Sequence, residues 1–255
     1  MIDTTIIFSI RNRAQELAVS LPTILSKYSQ DDTELVIMDD KSTDGSKDLC
    51  LALLAHHKWL PTNYTIYDSN RQDSGYDLSQ AHQTNMLVEK ARGKYILLQS
   101  AEVAHIDPVI PMLKKYCLPS QPSFATVYNA PAREGMMLKN AARLDPPFFG
   151  TLAAGHPECV IFGPQDLTLN GIDRYPNQKV IFKDGTSLMY GQYTGNLRIV
   201  PLFFCGMILK SDWLRLGGYK PELPTDMHFW EAMRDAGFNF AFTKTVALHI
   251  THGRS

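Results

Sequence analysis

Short runs that are apolar on both faces alternate with helically spaced runs through about the first hundred residues, and this constrains the fold more than any other feature. Thr4 to Ile10 (TTIIFSI) is rich in β-branched residues and apolar on both sides, the pattern of a strand covered from two sides. After Arg11-Asn12-Arg13, apolar residues recur at Ala14, Leu17, Ala18, Leu21, Ile24, Leu25 and Tyr28 with helical spacing. Pro22 falls inside that pattern and is expected to kink or restart the helix. Glu34 to Asp39 reads as a second strand, running into the turn-rich Asp40 to Ser46, which ends in N-cap residues. A helix over about Lys47 to His57, a strand at Tyr64 to Asp68, a helix from about Ser79 to Arg92-Gly93 and a strand at Tyr95 to Gln99 complete the series.

Alternation with short connections predicts an α/β fold: a mostly parallel central sheet with helices on both faces. Ligands of such sheets bind beyond the carboxyl ends of the strands. Three polar clusters fall at those ends: Arg11-Asn12-Arg13, Asp39-Asp40-Lys41-Ser42 and Ser100-Ala101-Glu102. Neither GxGxxG nor GxxxxGK[ST] occurs, so dinucleotide and P-loop readings are poor.

Composition narrows the class further. Lys plus Arg number 25 against 26 Asp plus Glu, for a formal net charge of -1, without the basic excess of a nucleic-acid binder. Cys50, Cys117, Cys159 and Cys205 form no CxxC pair, which argues against a zinc ribbon and for reduced, buried thiols in a cytosolic protein. The N-terminus reads as a strand rather than a signal peptide. The longest apolar run, Ile199 to Leu209, is about half a membrane span and is interrupted by Pro201 and Gly206. The expectation is a soluble, cytoplasmic protein, with peripheral membrane contact left open.

MDDKSTDGS after an apolar strand, preceded by SIRNRAQEL, resembles the large inverting glycosyltransferase family of GT-A fold, the family 2 type. ARGKYILLQSAE looks like that family's ARGxYxxxxDxD. FFCGMILKSDWLRLGGYKPEL looks like its strand and GG-aromatic turn, and TDMHFWEAMRDAGF like its acidic ED segment. The match covers roughly residues 4 to 118 and 202 to 255. The resemblance implies one GT-A-like domain over 1–255. Residues 1–102 would form its nucleotide-sugar-binding half and 103–255 its acceptor-binding half, with an irregular 130–200 segment.

The resemblance also implies roles. Asp40 would accept a hydrogen bond from the nucleobase, commonly uracil, because a carboxylate suits an imide N–H. Ser9, Arg11 and Arg13 would lie along base, ribose or diphosphate, with Ser42 and Asp44 building the turn. Where the family has DxD, this chain has Ser100-Ala101-Glu102, also assigned to the donor site. Glu102 replaces the second acid and Ser100 the first. A divalent Mn²⁺ or Mg²⁺ would use Glu102 plus diphosphate oxygens and water, with a late His249 or His252 as a further ligand. Asp226 would be the base that deprotonates the acceptor hydroxyl; Thr225 stands where the family has glutamate. The competing role for Asp226 is a helix N-cap. Glu222 and Glu231 are weaker candidates, and His228 is structural or acceptor-facing.

Gly217-Gly218-Tyr219 reads as a tight turn. Trp213, Tyr219 and Trp230 offer either a sugar-stacking face or core packing. VIFKDGTSLMY reads as a hairpin, Val180 to Phe182 with Ser187 to Tyr190. The partners implied are a nucleotide-sugar donor and a glycan, lipid-linked or other hydroxyl acceptor, as in surface-polysaccharide or glycoconjugate assembly. The alternatives are a degenerate member that binds nucleotide sugar without turnover and a sugar nucleotidyltransferase. The glycine-free SIRNRAQEL disfavours the latter.

Overall fold

The computed structural model describes residues 1–69, 76–131, 158–164, 179–181, 187–189, 203, 205–220 and 225–251. Four strands match the predicted alternation: β1 (Thr4–Ile10), β2 (Thr33–Asp39), β3 (Tyr64–Asp68) and β4 (Tyr95–Gln99). They pair in parallel in the order β3-β2-β1-β4. Between them run α1 (Ala14–Leu25), α2 (Ser46–His56) and α3 (Tyr76–Lys90). Then follow β5 (Val103–His105), α4 (Val109–Tyr116), β6 (Ser123–Pro131), β7 (Cys159–Phe162), β8 (Lys179–Ile181) and β9 (Ser187–Met189). The chain closes with β10 (Cys205–Leu209), α5 (Lys210–Leu216), α6 (Thr225–Asp235) and β11 (Phe240–Thr251).

The sheet continues past β4 through β10, β6, β11 and β5, with β7 also on β11. This second half is mixed, not parallel: β10 is antiparallel to β4 and β6, while β6 and β11 are parallel. β11 therefore runs in the same direction as β1 and ends at the same edge of the sheet. β8 and β9 pair antiparallel, as the expected hairpin strands would, while 182–186 lie outside the described residues.

Side-chain alternation sorts the strands between two cores. Ile6, Phe8, Ile10, Leu35 and Ile37 pack with Leu17, Leu21 and Ile24 of α1, Leu54 of α2 and Leu113 of α4. Ile7, Val36, Met38, Ile96 and Leu98 face the other way, onto Ala81, Leu87 and Val88 of α3, Trp213 of α5, and Phe229 and Met233 of α6. Each such Val, Leu, Ile, Phe or Met side chain contributes on the order of 1.5–3 kcal/mol by leaving water.

Local details depart from the sequence expectations for identifiable reasons. α1 does not restart at Pro22 but runs through it from Ala14 to Leu25, and the Pro22 carbonyl accepts the Ser26 N–H at 3.1 Å. The α2 N-cap is Gly45, at φ 84°, not a hydroxyl or carboxyl side chain. α3 begins at Tyr76, three residues before the expected start.

The ARG of ARGKY is structural. Glu34, buried inside β2, accepts from Thr5 Oγ1 (2.7 Å), the Arg92 N–H (2.6 Å) and Arg92 Nε (2.5 Å). A Cβ on Gly93 would lie 2.6 Å from the Thr5 nitrogen, so β1 passes too close for any side chain. Gly93→Ala is expected to cost about 1–3 kcal/mol, seen as a lower denaturation midpoint at unchanged slope.

Candidate active site

The strand order creates the crevice. From β1 the chain adds β2 and β3 on one side and returns to place β4 on the other. The connections leaving the carboxyl ends of β1 and β4 thus diverge, opening a switch point between them. Arg11 and Arg13 follow β1 and Glu102 follows β4, so the topology makes them neighbours.

The segment after β1 is held by the DKSTDGS turn. Asn12 N–H donates to Ser42 Oγ (3.1 Å), Arg13 N–H to Ser46 Oγ (2.7 Å) and Ala14 N–H to Asp44 Oδ2 (3.0 Å). Asp44 therefore serves the first turn of α1 from across the loop, where α1's own N-cap, Arg13, supplies no side-chain bond. Asn12 has φ 52°, a left-handed conformation that asparagine tolerates, and its Oδ1 accepts the Thr43 N–H at 2.8 Å. Asp39 Oδ1 accepts the Ser42 N–H at 3.3 Å. These turn residues build the frame that aims the two arginines.

Arg11 Nη1 lies 3.5 Å from Asp40 Oδ2, with Asp40 buried and Arg11 half exposed. Gln83 of α3 donates to Asp40 Oδ1 at 3.0 Å. Arg13 Nε donates to Glu102 Oε1 at 2.5 Å, and the Ser100 hydroxyl donates to Glu102 Oε2. Ser100, in the place of an acid, thus serves the remaining carboxylate. Ala101 is buried in the core, and its carbonyl accepts from Ser20 Oγ at 2.6 Å, fastening this loop to α1. Ser9 is half-buried at the penultimate position of β1.

Burial alone would raise the pKa of Glu102, but the bonds from Ser100 and Arg13 outweigh it and hold the carboxyl below its ordinary 4.5. A depressed folded-state pKa stabilises above the unfolded value, and that stability is lost as pH falls through the folded one. The melting temperature and ligand affinity are therefore expected to hold from about pH 7 to pH 5 and to fall below pH 4.5, in a pH series of thermal melts.

The C-terminal strand reaches the same place, for the Ile250 N–H donates to the Glu102 carbonyl at 3.0 Å. His249, half-buried, is in register with Val103 of β5. His252 lies outside the described residues. Among the described residues no group of three His, Cys, Asp or Glu side chains comes together. Both oxygens of Glu102, the described carboxylate among the expected metal ligands, are engaged, Oε1 by Arg13 and Oε2 by Ser100.

Asp226 is the second residue of α6. That helix delivers the chain to the amino-terminal edge of the sheet, where Asn239 N–H bonds the Ser120 carbonyl. Its first turn lies about 15 Å along the helix axis from that end. Glu231 faces its own helix, paired with His228 Nδ1 at 3.1 Å, and Glu222 lies outside the described residues.

Trp213, Tyr219 and Trp230 are core residues and offer no stacking face. Their exposures are 1, 5 and 4%, and Trp213 packs on Tyr219 and Phe229 at 4.8 and 4.4 Å between ring centres. Gly217-Gly218-Tyr219 does form a tight left-handed turn, with φ 78° and 65° at the glycines. It docks on α3: Asn85 accepts the Tyr219 N–H (2.9 Å) and donates to the Tyr219 carbonyl (2.7 Å). Sequence reasoning missed Gln83 and Asn85, since a polar residue in a helix carries no local sign of what it faces.

A parallel half with a β1/β4 switch point, continued by a mixed half in one sheet, is the GT-A architecture. Residues 5–117 match the family described as Glycosyl transferase family 2, so this segment is a family 2 glycosyltransferase segment on a GT-A fold. No curated protein matches the chain by sequence. Among solved structures it is similar to the mannosyltransferase PcManGT of Pyrobaculum calidifontis in complex with GDP-Man and Mn²⁺. The TM-score is 0.60 and the identity 15%, over 99% of this chain and 58% of that one. It is also similar to S. aureus TarS 1-349 in complex with UDP-GlcNAc (0.59, 10% identity, 100% and 60% covered). A third is GalNAc-T7 with UDP, GalNAc and Mn²⁺ (0.58, 11%, 100% and 45%). Identities this low carry the fold alone, and the chain spans about half the length of these structures. None of the helices, among the described residues, is long and apolar enough to cross a membrane.

Proposed function

We propose that the protein transfers a sugar from a nucleoside diphosphate sugar, of the UDP type, to a hydroxyl acceptor with inversion. The observation that carries this reading is the pair of arginine–carboxylate contacts at the switch point, Arg11–Asp40 and Arg13–Glu102. On this reading Asp40 is an acceptor-only group for a nucleobase and the two arginines are cations for a diphosphate, at the strand ends where α/β sheets bind ligands. The solved structures of similar fold hold GDP-Man or UDP-GlcNAc, which supports a nucleotide-sugar donor.

In this mechanism Asp40 accepts from the base and Arg11 flanks it. Arg13 meets charge that builds on the leaving diphosphate, in a partly buried setting where such a contact is strong. Glu102, with His249 or His252, would hold Mn²⁺ or Mg²⁺, which when bound neutralises the same diphosphate. Asp226, at the start of α6, takes the proton of the acceptor hydroxyl as it attacks the anomeric carbon opposite the leaving group. Residues 1–102 serve the donor and 103–255 the acceptor, a glycan, lipid-linked or other hydroxyl compound.

Thermal melting against UDP, GDP, CDP and dTDP, with and without Mn²⁺, tests the donor site, because stabilisation follows ln(1 + [L]/Kd). UDP with Mn²⁺ is expected to raise the midpoint most. Flat melting curves with all four diphosphates would remove the reading, while binding without turnover of any UDP-sugar would leave a degenerate nucleotide-sugar binder.

A further inference from the structure

We infer that Gln83 is the positioning residue that makes Asp40 selective for a nucleobase with a ring N–H. The inference rests on the reading of Asp40 as the base acceptor and deepens it. Gln83 is 8% exposed on α3, and its amide nitrogen reaches Asp40 Oδ1 at 3.0 Å and Ser69 Oγ at 3.3 Å. Ser69 continues β3 and its N–H bonds the Asp39 carbonyl at 2.9 Å, so Gln83 ties together the chain leaving β2 and β3.

The Asp40 carboxylate is thereby gripped from two directions, Gln83 on Oδ1 and Arg11 on Oδ2. The buried Gln83 amide is the short contact that sets the plane of the carboxylate, which the longer 3.5 Å contact to half-exposed Arg11 would alone leave free to rotate. A fixed acceptor beside the Arg11 donor matches an N–H adjacent to a carbonyl, the edge that uracil presents. Cytosine offers a ring nitrogen acceptor at that position and meets the carboxylate unfavourably. Gln83 touches no reacting atom and acts through Asp40.

The test is calorimetric binding of UDP, CDP and inorganic pyrophosphate, with Mn²⁺, to the full chain and to Gln83→Leu and Gln83→Glu. Wild type is expected to prefer UDP to CDP. Gln83→Leu should weaken UDP roughly tenfold, narrow the UDP/CDP gap and leave pyrophosphate unchanged. Gln83→Glu, which sets two carboxylates face to face, should weaken UDP further and keeps the proposal testable should the leucine variant fail to fold. A purely structural role would weaken UDP and pyrophosphate alike, and that result overturns the proposal. Wild-type UDP affinity in either variant also overturns it, while Asp40 keeps its role. If the wild type itself binds none of the nucleotides, the assignment of Asp40 fails, and that of Gln83 with it.

Discussion

Asp226→Asn is expected to abolish sugar transfer while leaving donor binding intact. The amide has the size of the carboxylate but cannot take a proton, so the acceptor hydroxyl must attack without a base. General-base catalysis of this kind contributes roughly 10²–10⁴-fold, and kcat should fall by that factor. UDP affinity should stay within about twofold, since Asp40, Arg11 and Arg13 are untouched. Asparagine caps helices about as well as aspartate, so a capping role would leave kcat near wild type and shift little. Steady-state kinetics with titrated UDP separate the two. An unchanged kcat would move the search for the base to other acids, with Glu231 disfavoured by its pairing with His228 at 3.1 Å.

Arg13→Ala should produce the second large effect, on stability and activity together. Glu102 is 7% exposed, and burial pushes its carboxyl up while Ser100 and Arg13 pull it down. With Arg13 gone, one of the stabilising donors and its positive charge are lost and the pKa rises. Acid destabilisation should then set in at higher pH than in wild type. At neutral pH the buried carboxylate keeps only part of its hydrogen bonding, which costs about 1–3 kcal/mol. The diphosphate also loses a cation, so kcat/KM should drop on the order of 100-fold, roughly the value of one lost contact to developing charge. Arg13→Lys restores charge without the planar fork and should recover stability only in part. Thermal melts across pH, paired with kcat/KM, distinguish this from a surface ion pair, whose loss would change neither by much.

The parallel half was legible because its signals are local. TTIIFSI, ELVIMD, YTIYD and YILLQ are strands in the structure within a residue of where apolar runs begin and end. The structural use of Ser42 and Asp44 was also legible, since short polar side chains at turns bond nearby backbone. The mixed second half was not, because β10, β6 and β11 take their direction from pairings distant in sequence. The aromatic residues Trp213, Tyr219 and Trp230 read equally as core or as a stacking face; only their packing decides for the core.

What the sequence by itself determined was the inventory: alternating strands and helices, polar residues at strand ends, and Ser100-Ala101-Glu102 in place of two acids. Periodicity and turn chemistry act over a few residues, and one chain suffices to read them. Tertiary structure alone decided which of those residues meet. The order β3-β2-β1-β4 sets Arg13 against Glu102, the packing of α3 brings Gln83 to Asp40, and the direction of β11 carries Ile250 to the Glu102 backbone. Those contacts join residues tens of positions or more apart, and their energy arises only when the two cores close and water leaves the crevice.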